Sequence, residues 1–360
     1  MRRLRVALDG RPLQSEPLGG VGRYMLGVIP ALADEAELFV LLDARRRDPP
    51  PALDARAHRV RLPAPRGVPG LGWLELAVAP WLRRFGGVFH ATFNTLPLTR
   101  ADRSVLTLHD LAPQRHPSDF RPATRAGWRL YVRASVRRAA AITTVSEFTR
   151  REIVEHFATD PARVRVAYPF ADPLFAPERA ADAGALAARL GIEPPYIVAV
   201  GGAPRRGLAV AIEAWRRAAR MTATPTSLVV VGEPAMASDG RLVSLGFPHD
   251  EAWATLLAGA RALCYPTRYE GFGLPALEAA ASGTPVVCAR VASLPEVLGD
   301  AGCWAQAPTV EAIADALGRV LSDAEWRRQQ RELGLRRARC APTSEDCARV
   351  LLEAYADAAR

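Results

Sequence analysis

Two glutamates, Glu270 and Glu278, stand eight positions apart in the run Tyr265-Pro-Thr-Arg-Tyr-Glu-Gly-Phe-Gly-Leu-Pro-Ala-Leu-Glu278. Upstream, Arg205 and Arg206 follow the glycine pair Gly201-Gly202. Ionised carboxylates accept strong hydrogen bonds from hydroxyl groups, and guanidinium groups suit phosphate oxygens. Glycines 271 and 273 let the backbone approach a ligand closely. A phosphate site alone has no need of acids, so hydroxyls and phosphates together point to a nucleotide sugar. Taken singly, Glu278 reads as a first-turn glutamate favoured by the helix dipole, and Glu270 as a solvated loop residue. The whole stretch favours the ligand.

These side chains need strands and helices to hold them. Ala262–Tyr265 is a short apolar run suited to a buried parallel strand, and Arg268–Gly273 is a polar loop. Pro275 sits where a first helical residue is favoured, Gly283 where a helix ends, and Val286–Ala289 reads as the next strand. Open α/β sheets bind ligands at such strand ends, and amides at a helix start attract anions. Tyr196–Gly201 is a strand leading into Gly202-Ala-Pro-Arg205-Arg206-Gly207, where two cations suit a pyrophosphate.

The first half repeats the pattern. Arg5–Asp9, Leu38–Leu42, His58–Leu62, Val88–Ala91, Val105–Leu108, Ile142–Ser146 and Val164–Tyr168 read as strands. Glycines 19, 20 and 22 form a flexible loop before a helix at Tyr24–Leu32, where amides can meet a phosphate. His109 closes a strand, with Asp110 beside it to orient the imidazole or contact an acceptor. A helix runs to Ala140 with Trp128, Tyr131, Val132, Ser135, Val136 and Ala139 on one face. Arg125, Arg129, Arg133 and Arg137 line another face, reading as a solvated surface or as a contact for an anionic membrane or phosphate-bearing acceptor. Ser344 is the expected cap of a last helix carrying Cys347, Val350, Leu351 and Ala354 on one face.

Composition narrows the field. At 360 residues the chain has room for two domains, and 49% apolar residues suit a globular protein. All 47 basic residues are arginine, a bias that lowers the weight of any one of them. The net charge of +9 fits an anionic nucleotide or membrane surface, and no recognition motif points to nucleic acid. Five cysteines show no metal-ligand spacing, so neither a metal site nor a disulfide is assigned. No targeting or membrane-spanning segment is visible, which makes a cytoplasmic location the expectation, with peripheral contact at the inner membrane face open. No GxGxxG follows the first strand with an acid about 20 residues on, against a dinucleotide dehydrogenase.

Glu270-Gly-Phe-Gly-Leu-Pro275 with Glu278 resembles the acid-x7-acid signature of the family 4 retaining glycosyltransferases, similar to mannosyltransferases of polysaccharide assembly. Leu18-Gly-Gly-Val-Gly-Arg23, Thr107-Leu-His-Asp110 and Val145-Ser-Glu-Phe-Thr149 also resemble that family, so the likeness spans nearly the whole chain. It implies an α/β chain of GT-B fold: two Rossmann-like domains facing a cleft. The domains expected are 1–172 on the acceptor side, 173–195 as linker and lead-in helix, 196–342 for the donor, and 343–360 as a helix crossing back.

The resemblance also implies roles. Gly20, Arg205, Arg206, Glu270, Gly271, Phe272, Gly273, Leu274 and Glu278 would bind the donor, with Glu278 on the ribose and Arg206 at the family's lysine position. His109 and Glu270 would stand at the reaction centre. The donor would be a GDP- or UDP-sugar, GDP-mannose first, with no cofactor and no metal, and the acceptor an unidentified hydroxyl on a glycan or lipid-linked carrier. Leu245–Pro248 would line the base pocket. Tyr168-Pro-Phe-Ala-Asp172 departs from the family's Asn-Gly-Val-Asp, and the segment from Glu233 to Leu242 is trimmed. A tailoring transferase for small molecules, a nucleotide binder without transfer, and an epimerase on the same fold stay open.

Overall fold

The computed structural model describes residues 3–68, 70–223, 225–233 and 240–360. The trimmed segment therefore lies, at 234–239, outside the described residues. The chain divides into two units, Met1–Phe170 with Pro342–Arg360, and Ala171–Ala341.

The first unit holds β1 (Leu4–Asp9), β2 (Ala36–Asp43), β3 (His58–Leu62), β4 (Val88–Ala91), β5 (Ser104–Leu108), β6 (Ala141–Thr144) and β7 (Val164–Val166). They form one parallel sheet in the order β3-β2-β1-β4-β5-β6-β7. The second unit holds β8 (Tyr196–Val200), β9 (Ser227–Val231), β10 (Leu242–Ser244), β11 (Leu263–Cys264), β12 (Val286–Ala289) and β13 (Gly302–Ala305). These are also parallel, ordered β10-β9-β8-β11-β12-β13. Strands such as β8 and β9 are buried along their whole length, because helices cover both faces and exclude the polar alternation of a half-wet sheet. In each sheet the strand order reverses once, at β1/β4 and at β8/β11. Open α/β sheets bind their ligands at such reversals, beyond the carboxyl ends of the strands.

The glycine-rich segment differs from its sequence reading. The helix starts at Gly20 and runs to Glu35, so Gly20 and Gly22 belong to its first turn rather than to a loop. Gly22 is there for space: a Cβ would sit 2.8 Å from the Pro12 carbonyl oxygen. Tyr24, Val28, Ile29 and Leu32 form its buried face and share a core with Cys347, Leu351, Ala354 and Tyr355 of the last helix, Ser344–Ala359. That helix thus belongs to the first unit. Its cap is Thr343 rather than Ser344: Thr343 accepts from the Asp346 N–H, and Asp346 reaches back to the Thr343 N–H. Both residues can cap, but only the earlier one sets acid at the reciprocal third position. The short helix Ala183–Arg189 lies in the second unit, against the helix Asp250–Gly259.

A buried polar chain ties the last helix to the first sheet. Tyr355 Oη lies 2.7 Å from His90 Nδ1, His90 Nε2 lies 2.6 Å from Thr107 Oγ1, and that hydroxyl lies 2.7 Å from Thr143 Oγ1. A neutral imidazole has one N–H and one lone pair, which two hydroxyls match. Burial, and secondarily the charge of His109, push the His90 pKa from 6.5 down to about 3. The unfolded chain binds this proton below about 6.5 and the folded chain does not, so the stabilisation is complete above 6.5 and is lost on acidification toward 3. The unfolding free energy should fall between pH 6 and 4, and His90→Gln should flatten that slope by about 1 kcal/mol per pH unit in urea titrations.

Candidate functional site

The reversal at β8/β11 is where the loops carrying Arg205, Arg206 and Glu270 meet. After β8 the chain makes a tight turn at Pro204–Arg206, closed by Gly207 at φ +70°. A Cβ on Gly207 would stand 2.6 Å from the Pro266 carbonyl oxygen, so only glycine lets the two loops pack so closely. The Arg205 carbonyl accepts from the Arg268 N–H at 2.8 Å and from the Thr267 hydroxyl at 3.3 Å. The loop after β8 thereby holds the loop after β11.

Side chains complete the junction. Arg206 donates through Nε to Glu270 Oε1 at 3.1 Å and through an Nη to the Gly201 carbonyl at 2.8 Å. Tyr265, wholly buried at the end of β11, donates its hydroxyl to the same Glu270 oxygen at 2.6 Å. Burial works against the Arg206 charge, but Tyr265 and Glu270 outweigh it and hold the guanidinium well above its usual pKa. Burial, then Glu270, push the Tyr265 phenol up in turn. At neutral pH this is an arginine cation whose charge Glu270 shares.

Gly271 and Phe272 are buried, and Gly273 caps the helix Leu274–Ala281. The N–H groups of Gly273 and Leu274 donate to no other backbone group among the described residues, which leaves donors at the helix start. Pro275 is the second helical residue rather than the first. Glu278 lies in the middle of the helix, 2% exposed, and accepts from the Trp253 indole at 2.8 Å. It is not a first-turn residue, so the helix start does not explain it.

In the first unit, His109 follows β5 and is joined to the loop after β4. Its Nε2 lies 2.8 Å from the Thr92 carbonyl, and its backbone N–H reaches Asn94 Oδ1 at 3.2 Å. A carbonyl oxygen can only accept, so the ring nitrogen facing it must donate, which assigns the proton to Nε2 and the lone pair of the neutral ring to Nδ1. Burial lowers the His109 pKa against the opposing pull of Thr92 and Asp110, so the ring is neutral at neutral pH. Tyr24, on the helix that begins at Gly20, meets the ring edge-on at 6.1 Å. Asp110 Oδ1 accepts from the Ala112 N–H, stiffening the turn after His109. Gly20, His109 and Asp110 belong to the first unit, and Arg205, Arg206, Glu270 and Glu278 to the second. On the helix Pro122–Arg138, Arg129, Arg133 and Arg137 are exposed and Arg125 is half-buried. No helix among the described residues is long and apolar enough to cross a membrane.

Sequence reasoning passed over Tyr265, which read as part of a buried strand, and over Trp253 and Ser293. The Ser293 hydroxyl, fully buried, lies 3.0 Å from the Glu270 carbonyl and 2.7 Å from that of Phe272. Nothing in Ala292-Ser-Leu-Pro295 signals a reach of more than twenty residues back. Ser293→Ala strips the donor from two carbonyls and should lower stability by about 1–3 kcal/mol in urea unfolding, loosening the loop that carries Glu270.

Comparison with known proteins agrees with this geometry. Residues 18–174 match the model for "Glycosyltransferase Family 4", and residues 194–323 match "Glycosyl transferases group 1". The chain is 30% identical to the O-antigen chain mannosyltransferase B of Escherichia coli, over 94% of this chain and 96% of that protein. It is 33% identical to the MMP alpha-(1->4)-mannosyltransferase of Mycolicibacterium hassiacum over 56% of this chain and 50% of that one. Among solved structures, Anabaena HepE, determined with UDP and glucose, superposes with a TM-score of 0.74 at 18% identity, covering 98% of this chain and 99% of that one. WaaG, a glycosyltransferase involved in lipopolysaccharide biosynthesis, gives 0.72 at 18% identity, with 98% of each chain covered. With two parallel sheets of this topology, an Arg206–Glu270 junction at the reversal of the second sheet and these relatives, the chain belongs to the family 4 glycosyltransferases of GT-B fold.

Proposed function

We propose that this glycosyltransferase moves a hexose, mannose first, from a nucleoside-diphosphate sugar to a hydroxyl of a glycan acceptor, with retention at the anomeric carbon and without a metal ion. The observation that carries the reading is the junction of Tyr265, Glu270 and Arg206 beside the helix start at Gly273. It sets a cation and backbone N–H donors beside a carboxylate, which is what a diphosphate joined to a polyol requires. Mannose and a surface polysaccharide are supported by relatives named as O-antigen chain mannosyltransferases.

In this reading Arg205, Arg206 and the amides at the helix start stabilise the charge that builds on the departing diphosphate. Glu270 and the backbone of Gly271–Leu274 hold the sugar hydroxyls, and Glu278 holds the ribose. His109, neutral, offers Nδ1 as an acceptor for a hydroxyl of the transferred sugar. With Glu278 committed to the ribose, the paired-carboxylate scheme of retaining glycosidases does not apply. Instead the acceptor oxygen attacks the anomeric carbon on the face the diphosphate leaves. Its proton passes to the departing phosphate oxygen as the C–O bond to phosphate breaks.

The test is to incubate the protein with GDP-mannose, UDP-glucose and UDP-galactose and follow free nucleoside diphosphate by mass spectrometry. A methyl α-mannoside is then added, and the product linkage is read by proton NMR. Slow release of one nucleoside diphosphate, and with acceptor an α-linked product from an α-linked donor, are expected. A β-linked product would overturn retention, an altered free sugar would indicate epimerisation, and no release from any donor would make the protein a nucleotide binder.

A further inference from the structure

We propose that Trp253 is a positioning residue for the nucleoside: its indole N–H fixes the Glu278 carboxylate in the direction that accepts the ribose hydroxyls, and so sets a preference for ribose over 2′-deoxyribose. The inference rests on the reading of Glu278 as the ribose ligand. It adds a residue on another helix that gives the carboxylate its aim.

Trp253 lies on the helix Asp250–Gly259, 5% exposed, and Glu278 on Leu274–Ala281, 2% exposed. The two helices pack against each other within the second unit. The indole Nε1 stands 2.8 Å from Glu278 Oε2. A buried indole N–H needs an acceptor, and a backbone carbonyl is the ordinary one. Trp73 and Trp215, both buried, follow that pattern, donating to the carbonyls of Leu62 at 3.1 Å and Thr226 at 2.9 Å. Trp253 instead donates to a carboxylate.

The partner's chemistry matters. Indole is a donor only, so the bond has one polarity and cannot reverse when a ligand arrives. It brings no positive charge that would compete with hydroxyl donors for the carboxylate. A glutamate has three side-chain torsions, and holding Oε2 to a rigid ring fixes the last of them. The lone pairs of the other oxygen then point one way before a ligand binds, which reduces the ordering cost at binding. A site built to hydrogen-bond a hydroxyl rejects the analogue lacking it, but only while the acceptor is held in place.

The test is calorimetric titration of GDP, UDP and their 2′-deoxy counterparts into the wild type, Glu278→Gln, Trp253→Phe and Trp253→His. Phenylalanine keeps an aromatic ring and removes the N–H; histidine restores a ring N–H. For the nucleotide that binds the wild type, the ribose form should be favoured about tenfold, the scale of one hydrogen bond to a charged group. Trp253→Phe should bring that ratio close to one, and Trp253→His should recover part of it, with circular dichroism melting confirming that each variant is folded. A wild-type ratio unaltered in Glu278→Gln, or no nucleotide binding by the wild type, would refute the ribose reading itself. A ratio that collapses in Glu278→Gln yet persists in Trp253→Phe would leave that reading intact and make Trp253 a packing residue only. Should Trp253→Phe fail to fold, Trp253→Leu, which also lacks the N–H, takes its place, and a wild-type ratio in that variant would equally overturn the proposal.

Discussion

The ion pair between Arg206 and Glu270 is the constraint on which the second unit turns. It spans the two loops that leave neighbouring strands β8 and β11 at the point where the sheet order reverses. Arg206 is half-buried and Glu270 buried, so removing the arginine leaves a buried carboxylate without its cation. The pair therefore holds the loops together as long as both are present. Tyr265 from below, Gly207 at the close approach and Ser293 under the loop all serve the same junction. The resulting surface carries a cation that is already balanced, rather than a free charge waiting in an apolar pocket. A diphosphate arriving there would share Arg206 with Glu270, and the proposed chemistry uses that sharing to stabilise a leaving group.

The first unit is arranged around a different problem, the steadying of one strand end. His109 is anchored at both its ring and its backbone by the loop after β4, and that loop is anchored in turn by Thr92 donating its hydroxyl to the Asp9 carbonyl at 2.7 Å. Asn94 takes a positive φ of 58° in that loop, a conformation asparagine tolerates better than most residues. Behind it, His90 and Tyr355 bind the C-terminal helix to the sheet, so residues from the far end of the chain brace the strands that carry His109.

Much of this was legible in the sequence, for reasons that differ by residue. Buried parallel strands are apolar runs, so Val88–Ala91 and Val286–Ala289 were marked to the residue. Strands β10 and β13 were not, since Leu242–Ser244 ends on a serine and Gly302–Ala305 opens on a glycine, so neither is an unbroken apolar run. Glu270, Arg205 and Arg206 stood out because their types sit beside glycines at strand ends, and Glu278 because it stands eight positions after Glu270. Their pairing did not, since Arg206 meets Glu270 across 64 positions and neither flank encodes the other. Trp253 was illegible for the same reason: periodicity marks a buried face but not what an indole N–H touches there. The cap shifted to Thr343 because only that residue has an acid, Asp346, at the reciprocal position, and the helix start moved to Gly20 because glycines that read as a loop form its first turn.

Whether Arg206 serves a diphosphate is read most directly by comparing the affinity of Arg206→Ala and wild type for GDP and UDP with that for guanosine and uridine. The substitution should weaken nucleoside-diphosphate binding at least tenfold, the scale of a charge-assisted hydrogen bond, and leave nucleoside binding nearly unchanged. Equal losses for both would mean that Arg206 only holds the loops in place, and no loss for either would remove it from the site.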